Sequence, residues 1–78
     1  QFDVACKRSV TIAGHATSIR IESLFWDALC REAERSGLPV NALVAQIDAA
    51  RLEQVPAPNL ASAIRQWVFA RRAAGQSD

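Results

Sequence analysis

The chain has 78 residues, of which 50% are hydrophobic and 22% are charged, and its net charge is +1. This mixture is too apolar for an intrinsically disordered segment. No apolar run approaches the roughly 20 residues of a transmembrane helix, so we expect no membrane partner. A chain of this size buries only about 60% of the surface that it exposes when unfolded. We therefore expect one small domain that shares its core with a second copy and has little room for an enzyme's substrate cleft.

The reactive side chains form no recognisable catalytic or metal-binding motif. Cys6 and Cys30 are too few for a disulfide framework, and they are typical of reduced thiols in a cytoplasmic protein. His15 is the single histidine, and neither cysteine lies at a zinc-ligand spacing from it. Nucleophilic catalysis would need a base held beside a thiol or hydroxyl. The sequence thus predicts a cytoplasmic protein that is not an enzyme and holds no metal or cofactor, with His15 as a turn residue.

The first periodic segment predicts a β-hairpin with strands at about 7–13 and 16–21. Both segments alternate polar and apolar residues, and β-branched residues dominate them. The two residues between them are Gly14 and His15, and a two-residue loop with glycine first is typical of a type II′ turn.

This turn predicts the pairing of the strands and the two faces of the hairpin. Ala13 would lie opposite Ala16, and Lys7 would lie opposite the oppositely charged Glu22. The apolar face would then consist of Val10, Ile12, Ile19 and Ile21. The polar face would consist of Lys7, Ser9, Thr11, Ser18 and Arg20.

Three helices are predicted after the hairpin, at about 23–36, 40–52 and 60–72. Glu22 or Ser23 can cap the first helix, and Gly37 is the expected left-handed residue at its end. Asn59 is the expected cap of the third. We therefore expect an α+β fold with a single domain over residues 7–72 and tails at 1–6 and 73–78.

The order of these segments resembles the ribbon-helix-helix superfamily of DNA-binding proteins, which includes Arc and the methionine repressor. The strand at 17–21 leads directly into the helix that contains 25–29, and then into the turn and second helix at 37–44. The upstream stretch 7–19 and the third-helix segment 59–65 are similar to a branch of small bacterial members with an extra N-terminal strand and a third helix. The resemblance extends over about residues 7–70.

The resemblance implies an intertwined homodimer that binds double-stranded DNA. In the superfamily, the main strand pairs with its copy, the helices of both chains close one core, and the ribbon enters the major groove. The implied core residues shared by the dimer are Ile19, Ile21, Leu29, Leu43 and Ile47. The implied base-facing residues are Ser18 and Arg20. The implied phosphate contacts are Val40, Asn41 and Ala42 at the start of the second helix. We also expect phosphate contacts from Lys7, Ser9 and Thr11 on the outer strand.

Two departures from the superfamily pattern leave a second function open. Pro39 stands where the family usually has a Ser or Thr that caps the second helix. The extra strand would make the dimer's sheet four strands wide, with three gaps of about 4.8 Å, whereas the major groove is about 12 Å wide. The sequence therefore predicts a transcriptional regulator or antitoxin-like repressor, with the alternative of a dimeric module that binds an unidentified protein and does not read the groove.

Overall fold

A computed structural model of the chain describes residues 2–75 and has an antiparallel two-stranded hairpin followed by three helices. The α+β class and the order of the elements are as predicted. The elements are β1 (Ala5–Ile12), β2 (His15–Glu22), α1 (Ser23–Ser36), α2 (Val40–Arg51) and α3 (Leu60–Gly75).

Both segments predicted as tails contribute to these elements. Residues 5 and 6 belong to β1, and residues 73–75 continue α3. The rest of the predicted C-terminal tail, 76–78, lies outside the described residues, as does Gln1.

The hairpin turns at Ala13 and Gly14, one residue earlier than predicted. Both residues have positive φ angles, 52° and 82°, which defines a type I′ turn rather than the predicted type II′. His15 is consequently the first residue of β2, opposite Ile12, and not a turn residue. The twist of a type I′ turn matches the right-handed twist of the strands. That match offsets the left-handed conformation of Ala13, which costs roughly 1–2 kcal/mol for a residue with a Cβ.

The earlier turn shifts the pairing of the strands by two residues without exchanging their faces. Ser9 lies opposite Ser18, and Lys7 lies opposite Arg20, so the predicted pairing of Lys7 with Glu22 is wrong. Side chains alternate between faces with a period of two, and a shift of two therefore leaves each side chain on its predicted face.

The apolar face of the hairpin packs on all three helices and closes a core within one chain. The buried hairpin residues are Val10, Ile19 and Ile21. The helices add Ala28, Leu29, Ala33, Leu43, Val44, Ile47, Leu60, Ile64 and Val68. All five residues that the resemblance assigned to the dimer core belong to this cluster. Their place in an interface between two chains stays a prediction.

Two of the predicted helix-terminal residues are confirmed, Gly37 and Asn59, whereas the predicted cap of α1 is wrong. Gly37 ends α1 with a φ of 69°, and Asn59 Oδ1 accepts the Ser62 N–H at 2.8 Å at the start of α3, both as predicted. Neither Glu22 nor Ser23 caps α1 with its side chain. The carboxylate of Asp3 does so instead, because it accepts the Leu24 N–H at 2.9 Å. A residue from the predicted tail therefore anchors the chain's start to α1.

Candidate nucleic-acid interface

The polar face of the hairpin points away from the helices and carries two cations. Lys7, Ser9 and Thr11 from β1 lie opposite Arg20, Ser18 and Ala16 from β2, and all six residues are exposed. Within residues 2–75, neither Lys7 nor Arg20 has a side-chain ion pair. Like charges directly opposite each other weaken a sheet, so this pair contributes no stability to the hairpin.

The two edges of the sheet differ in how their backbone groups are satisfied. In a two-residue hairpin the closing pair, here Ile12 and His15, is hydrogen-bonded, and every second pair along the strands then directs its N–H and C=O groups outward. On β1, the outward N–H of Thr11 donates to Asn41 Oδ1 at the start of α2, at 3.2 Å. The start of α2 therefore covers this part of the outer edge of β1.

The edge of β2 is open. No group within residues 2–75 accepts the outward N–H of Ala16 or Ser18. The outward carbonyl of Arg20 accepts only a long bond, 3.4 Å, from Arg65 Nη2 on α3. A groove of about 480 Å³ follows this edge, and it is lined by Thr17, Ser18, Ile19, Arg20, Arg51, Asn59, Leu60, Ala61 and Arg65.

Arg65 holds α3 against the end of β2. Its Nε donates to Glu22 Oε1 at 2.8 Å. This hydrogen bond, together with the nearby backbone N–H, lowers the pKa of Glu22 below its usual range. The one carboxylate at the end of the polar face is therefore neutralised by α3, and the face keeps its positive charge.

The start of α2 offers backbone donors but no hydroxyl. Pro39 is its cap and makes no side-chain bond to the helix. The Pro39 carbonyl accepts the Ala42 N–H at 3.0 Å, whereas no group within residues 2–75 accepts the N–H of Val40 or Asn41. Because Asn41 is bonded to Thr11, the predicted phosphate contacts of α2 lie beside those of β1.

Arg8 is a charged residue on the otherwise apolar face of the hairpin. Its guanidinium lies 5.4 Å from the centre of the Trp26 ring, and its Nε is buried without a hydrogen-bond partner. Because side chains alternate along β1, Arg8 lies on the same face as Val10. Its stacking on Trp26 joins β1 to α1, and no pattern within β1 predicts that contact.

The described residues contain no metal-binding cluster of His, Cys, Asp or Glu side chains. Both cysteines are free, and burial, followed by the charge of Asp27, raises the pKa of the Cys30 thiol. From residue 2 to residue 75, no helix has both the length and the apolar character required to cross a membrane.

Comparison with known proteins gives one family. Residues 5–71 match the model of the ribbon-helix-helix domain. No curated protein and no solved structure matches the chain significantly.

Proposed function

Because the chain belongs to the ribbon-helix-helix family, we propose that it is a DNA-binding transcriptional regulator or antitoxin-like repressor that acts as a homodimer. Domains of this family are commonly regulators or antitoxins that bind DNA, and they typically form dimers; the fold is not that of an enzyme family. The observation that carries the proposal is the exposed polar face, where Lys7 lies opposite Arg20 and the carboxylate of Glu22 at the end of the face is paired with Arg65. Such a pair of like charges favours an anionic partner.

The proposed dimer forms through the open edge of β2. Antiparallel pairing needs outward N–H and C=O groups, which Ala16, Ser18 and Arg20 present. The first two of these residues keep their N–H groups without a partner. Pairing of the two copies of β2 gives a sheet of four strands with β1 on each outer side. Its polar face is continuous across both copies.

DNA would be bound by this whole face rather than by a bare two-stranded ribbon. Val10 is only 1% exposed and Thr11 is held by Asn41, so β1 is part of the folded domain. Three strand gaps place the axes of the outer strands about 14 Å apart, which is wider than the major groove of about 12 Å, so only the two central strands would face into the groove. Arg20 then faces the base edges from the centre, with Ser18 beside it. Lys7, Ser9 and Thr11 lie over the phosphates at the two rims, and the free N–H groups of Val40 and Asn41 flank them.

Titration of fluorescent duplex DNA at two salt concentrations tests this proposal. Arg20→Ala should reduce the discrimination between DNA sequences, because a bidentate Arg–guanine contact is worth about 1–3 kcal/mol. Lys7→Ala should weaken binding equally for all sequences. It should also make the log–log salt dependence shallower by about 1.8, since each dimer loses two phosphate contacts worth about 0.9 each.

Arg72→Ala is the matched control, because it removes an exposed arginine from α3 rather than from the polar face. It should change neither the discrimination between DNA sequences nor the salt dependence of binding. If Arg20→Ala and Lys7→Ala leave both the affinity and the sequence preference unchanged, the polar face does not bind DNA.

A protein-interaction module is the second candidate function. It is favoured by the absence of a hydroxyl cap at Pro39 and by the outer strand, which widens the sheet beyond a bare ribbon. The same titration separates the two functions, because phosphate contacts produce a steep salt dependence of DNA binding. The module would show no salt-dependent DNA binding.

A further inference from the structure

A second surface lies between α1 and α3, away from the polar face. The two helices run side by side in the same direction, as two ion pairs show. Glu22, just before α1, contacts Arg65 in the first half of α3, and Glu32 towards the end of α1 contacts Arg71 towards the end of α3. The groove between them has a volume of about 400 Å³ and is lined by Leu24, Phe25, Ala28, Arg31, Val68, Phe69 and Arg72. We name it the α1–α3 groove.

The lining of the α1–α3 groove includes large apolar side chains that are exposed. Leu24 is 54% exposed and Phe69 is 71% exposed, although Phe25 and Val68 beside them pack into the core. Single exposed apolar residues are common on protein surfaces. A contiguous apolar patch within a groove is instead typical of an interaction site.

The rim of the groove is strongly basic. Arg31 and Arg72 line the groove itself, and Arg72 also lines an adjoining polar pocket with Arg35, Arg71, Glu32 and Gly75. Glu32 is the one carboxylate in either lining and is buried. Its two oxygens are already bonded to Arg35 Nη1 at 3.2 Å and to Arg71 Nε at 3.3 Å. The groove lining itself therefore holds two arginines and no carboxylate, which gives it an excess of positive charge, and the carboxylates of Asp27 and Glu34 on α1 lie outside both linings.

We propose that the α1–α3 groove binds an acidic amphipathic helix of a second protein. From Leu24 to Arg31 the groove extends over about 11 Å, which is two helical turns. A helix with apolar residues at i, i+3, i+4 and i+7 fills such a groove, and glutamates beside them would meet the arginines of the rim.

Neither a second copy of the chain nor DNA fits the groove as well. A twofold contact between two copies would bring the same basic rim against itself. A DNA backbone would meet the arginines but would leave Leu24 and Phe69 in water. The sheet packs its apolar face on the helices, so its polar face points away from the groove, and DNA and the acidic helix can be bound together.

A pair of synthetic peptides tests the proposal. The first is a fluorescein-labelled helical peptide with Leu and Phe at the four apolar positions and Glu beside them, and the second carries Lys in place of each Glu. Fluorescence anisotropy should show that the Glu peptide binds and the Lys peptide does not. Phe69→Ala should weaken binding by about tenfold or more, as expected for a central aromatic anchor. The double variant Arg31→Glu/Arg72→Glu should bind the Lys peptide instead.

Two controls show whether a loss of peptide binding comes from the groove itself rather than from misfolding or from a loss of DNA binding. Phe69 is exposed, so Phe69→Ala should retain the circular dichroism spectrum and the DNA affinity of the unchanged chain. Arg20→Ala should bind the Glu peptide normally.

Four results would overturn the proposal: binding of neither peptide, equal binding of both, binding that survives Phe69→Ala and the charge reversal, or displacement of the Glu peptide by a DNA duplex. A change in sedimentation caused by Phe69→Ala would also contradict it, because the groove would then be a contact between copies of this chain.

Discussion

The two edges of the hairpin have the same backbone chemistry but different surroundings. On β1 the outward N–H of Thr11 is bonded to Asn41, and α2 packs along the strand. On β2 the outward N–H groups of Ala16 and Ser18 have no partner within residues 2–75. The difference teaches that α2 covers the β1 edge at Thr11, whereas the chain leaves the β2 edge open at the opposite residue, Ala16, and at Ser18. An edge with unpaired groups is a template for pairing with another strand, which is the basis of the dimer proposed above.

Truncation of a buried core residue should have the largest effect on the stability of the fold. Leu43 is buried on α2 among residues of the single-chain core. Leu43→Ala should lower the free energy of unfolding by roughly 2–5 kcal/mol, the usual cost of truncating a buried leucine. Urea denaturation measures this change. Leu52→Ala, which truncates an exposed leucine, should cost less than about 0.5 kcal/mol, and an equal cost for the two variants would show that Leu43 is not part of the core.

Proline substitution at the two serines that face each other should distinguish the two edges. Ser9 and Ser18 form one cross-strand pair, and each directs its N–H outward. Ser18→Pro should weaken the dimer roughly 30-fold, because the two copies lose a hydrogen bond each at about 1 kcal/mol. Ser9→Pro should leave the dimer's dissociation constant unchanged, since β1 does not pair with the second copy. Analytical ultracentrifugation measures both, and a stronger effect of Ser9→Pro would reverse the assignment of the edges.

Loss of the hydrogen bond between the Thr11 N–H and Asn41 should have a smaller effect on stability. Asn41→Ala removes the acceptor of the Thr11 N–H and should lower the free energy of unfolding by about 1 kcal/mol. Asn41→Asp keeps an acceptor at that position and should restore the stability. Its negative charge should nevertheless weaken DNA binding if the start of α2 lies near phosphates. Thermal denaturation and DNA titration of the two variants test these expectations, which fail if Asn41→Ala is as stable as the unchanged chain.

The ion pair between Glu22 on β2 and Arg65 on α3 should make the smallest contribution, a dependence of stability on pH. The hydrogen bond from Arg65 lowers the pKa of Glu22 in the folded chain below its value in the unfolded chain. The contact therefore contributes stability above the unfolded pKa, and this contribution is lost as the pH falls through the lower, folded pKa. Arg65→Gln should remove this part of the acid dependence of unfolding. The pKa of Glu22, measured by NMR titration, should then rise, and an unchanged pKa would contradict the pairing.

The sequence predicted the features that depend on local periodicity. The faces of the hairpin were correct even though the pairing shifted, because a shift of two residues keeps Lys7, Ser18 and Arg20 on one side. Gly37 and Asn59 were predicted as helix ends because their roles are set by the adjacent turn. Membership in the family was likewise evident from the order of the segments.

The features that depend on distant contacts had no such signal. Alanine rarely adopts a positive φ angle, as Ala13 does here, so the turn was predicted one residue too far along the chain. Asp3 caps α1 across 21 residues of sequence, and Asn41 covers β1 across 30. Both bonds result from the packing of complete elements, and no pattern within one element predicts them.

Amide hydrogen exchange at Thr11 and Ser18 tests the difference between the edges most directly. We expect the Ser18 amide to be protected at protein concentrations where the dimer forms and to exchange rapidly on dilution to the monomer. The Thr11 amide should be protected equally at both concentrations, because its acceptor lies in the same chain. Rapid exchange of Ser18 at every concentration, or protection of Thr11 that depends on concentration, would contradict the assignment of β2 as the open edge through which the chain pairs with its copy.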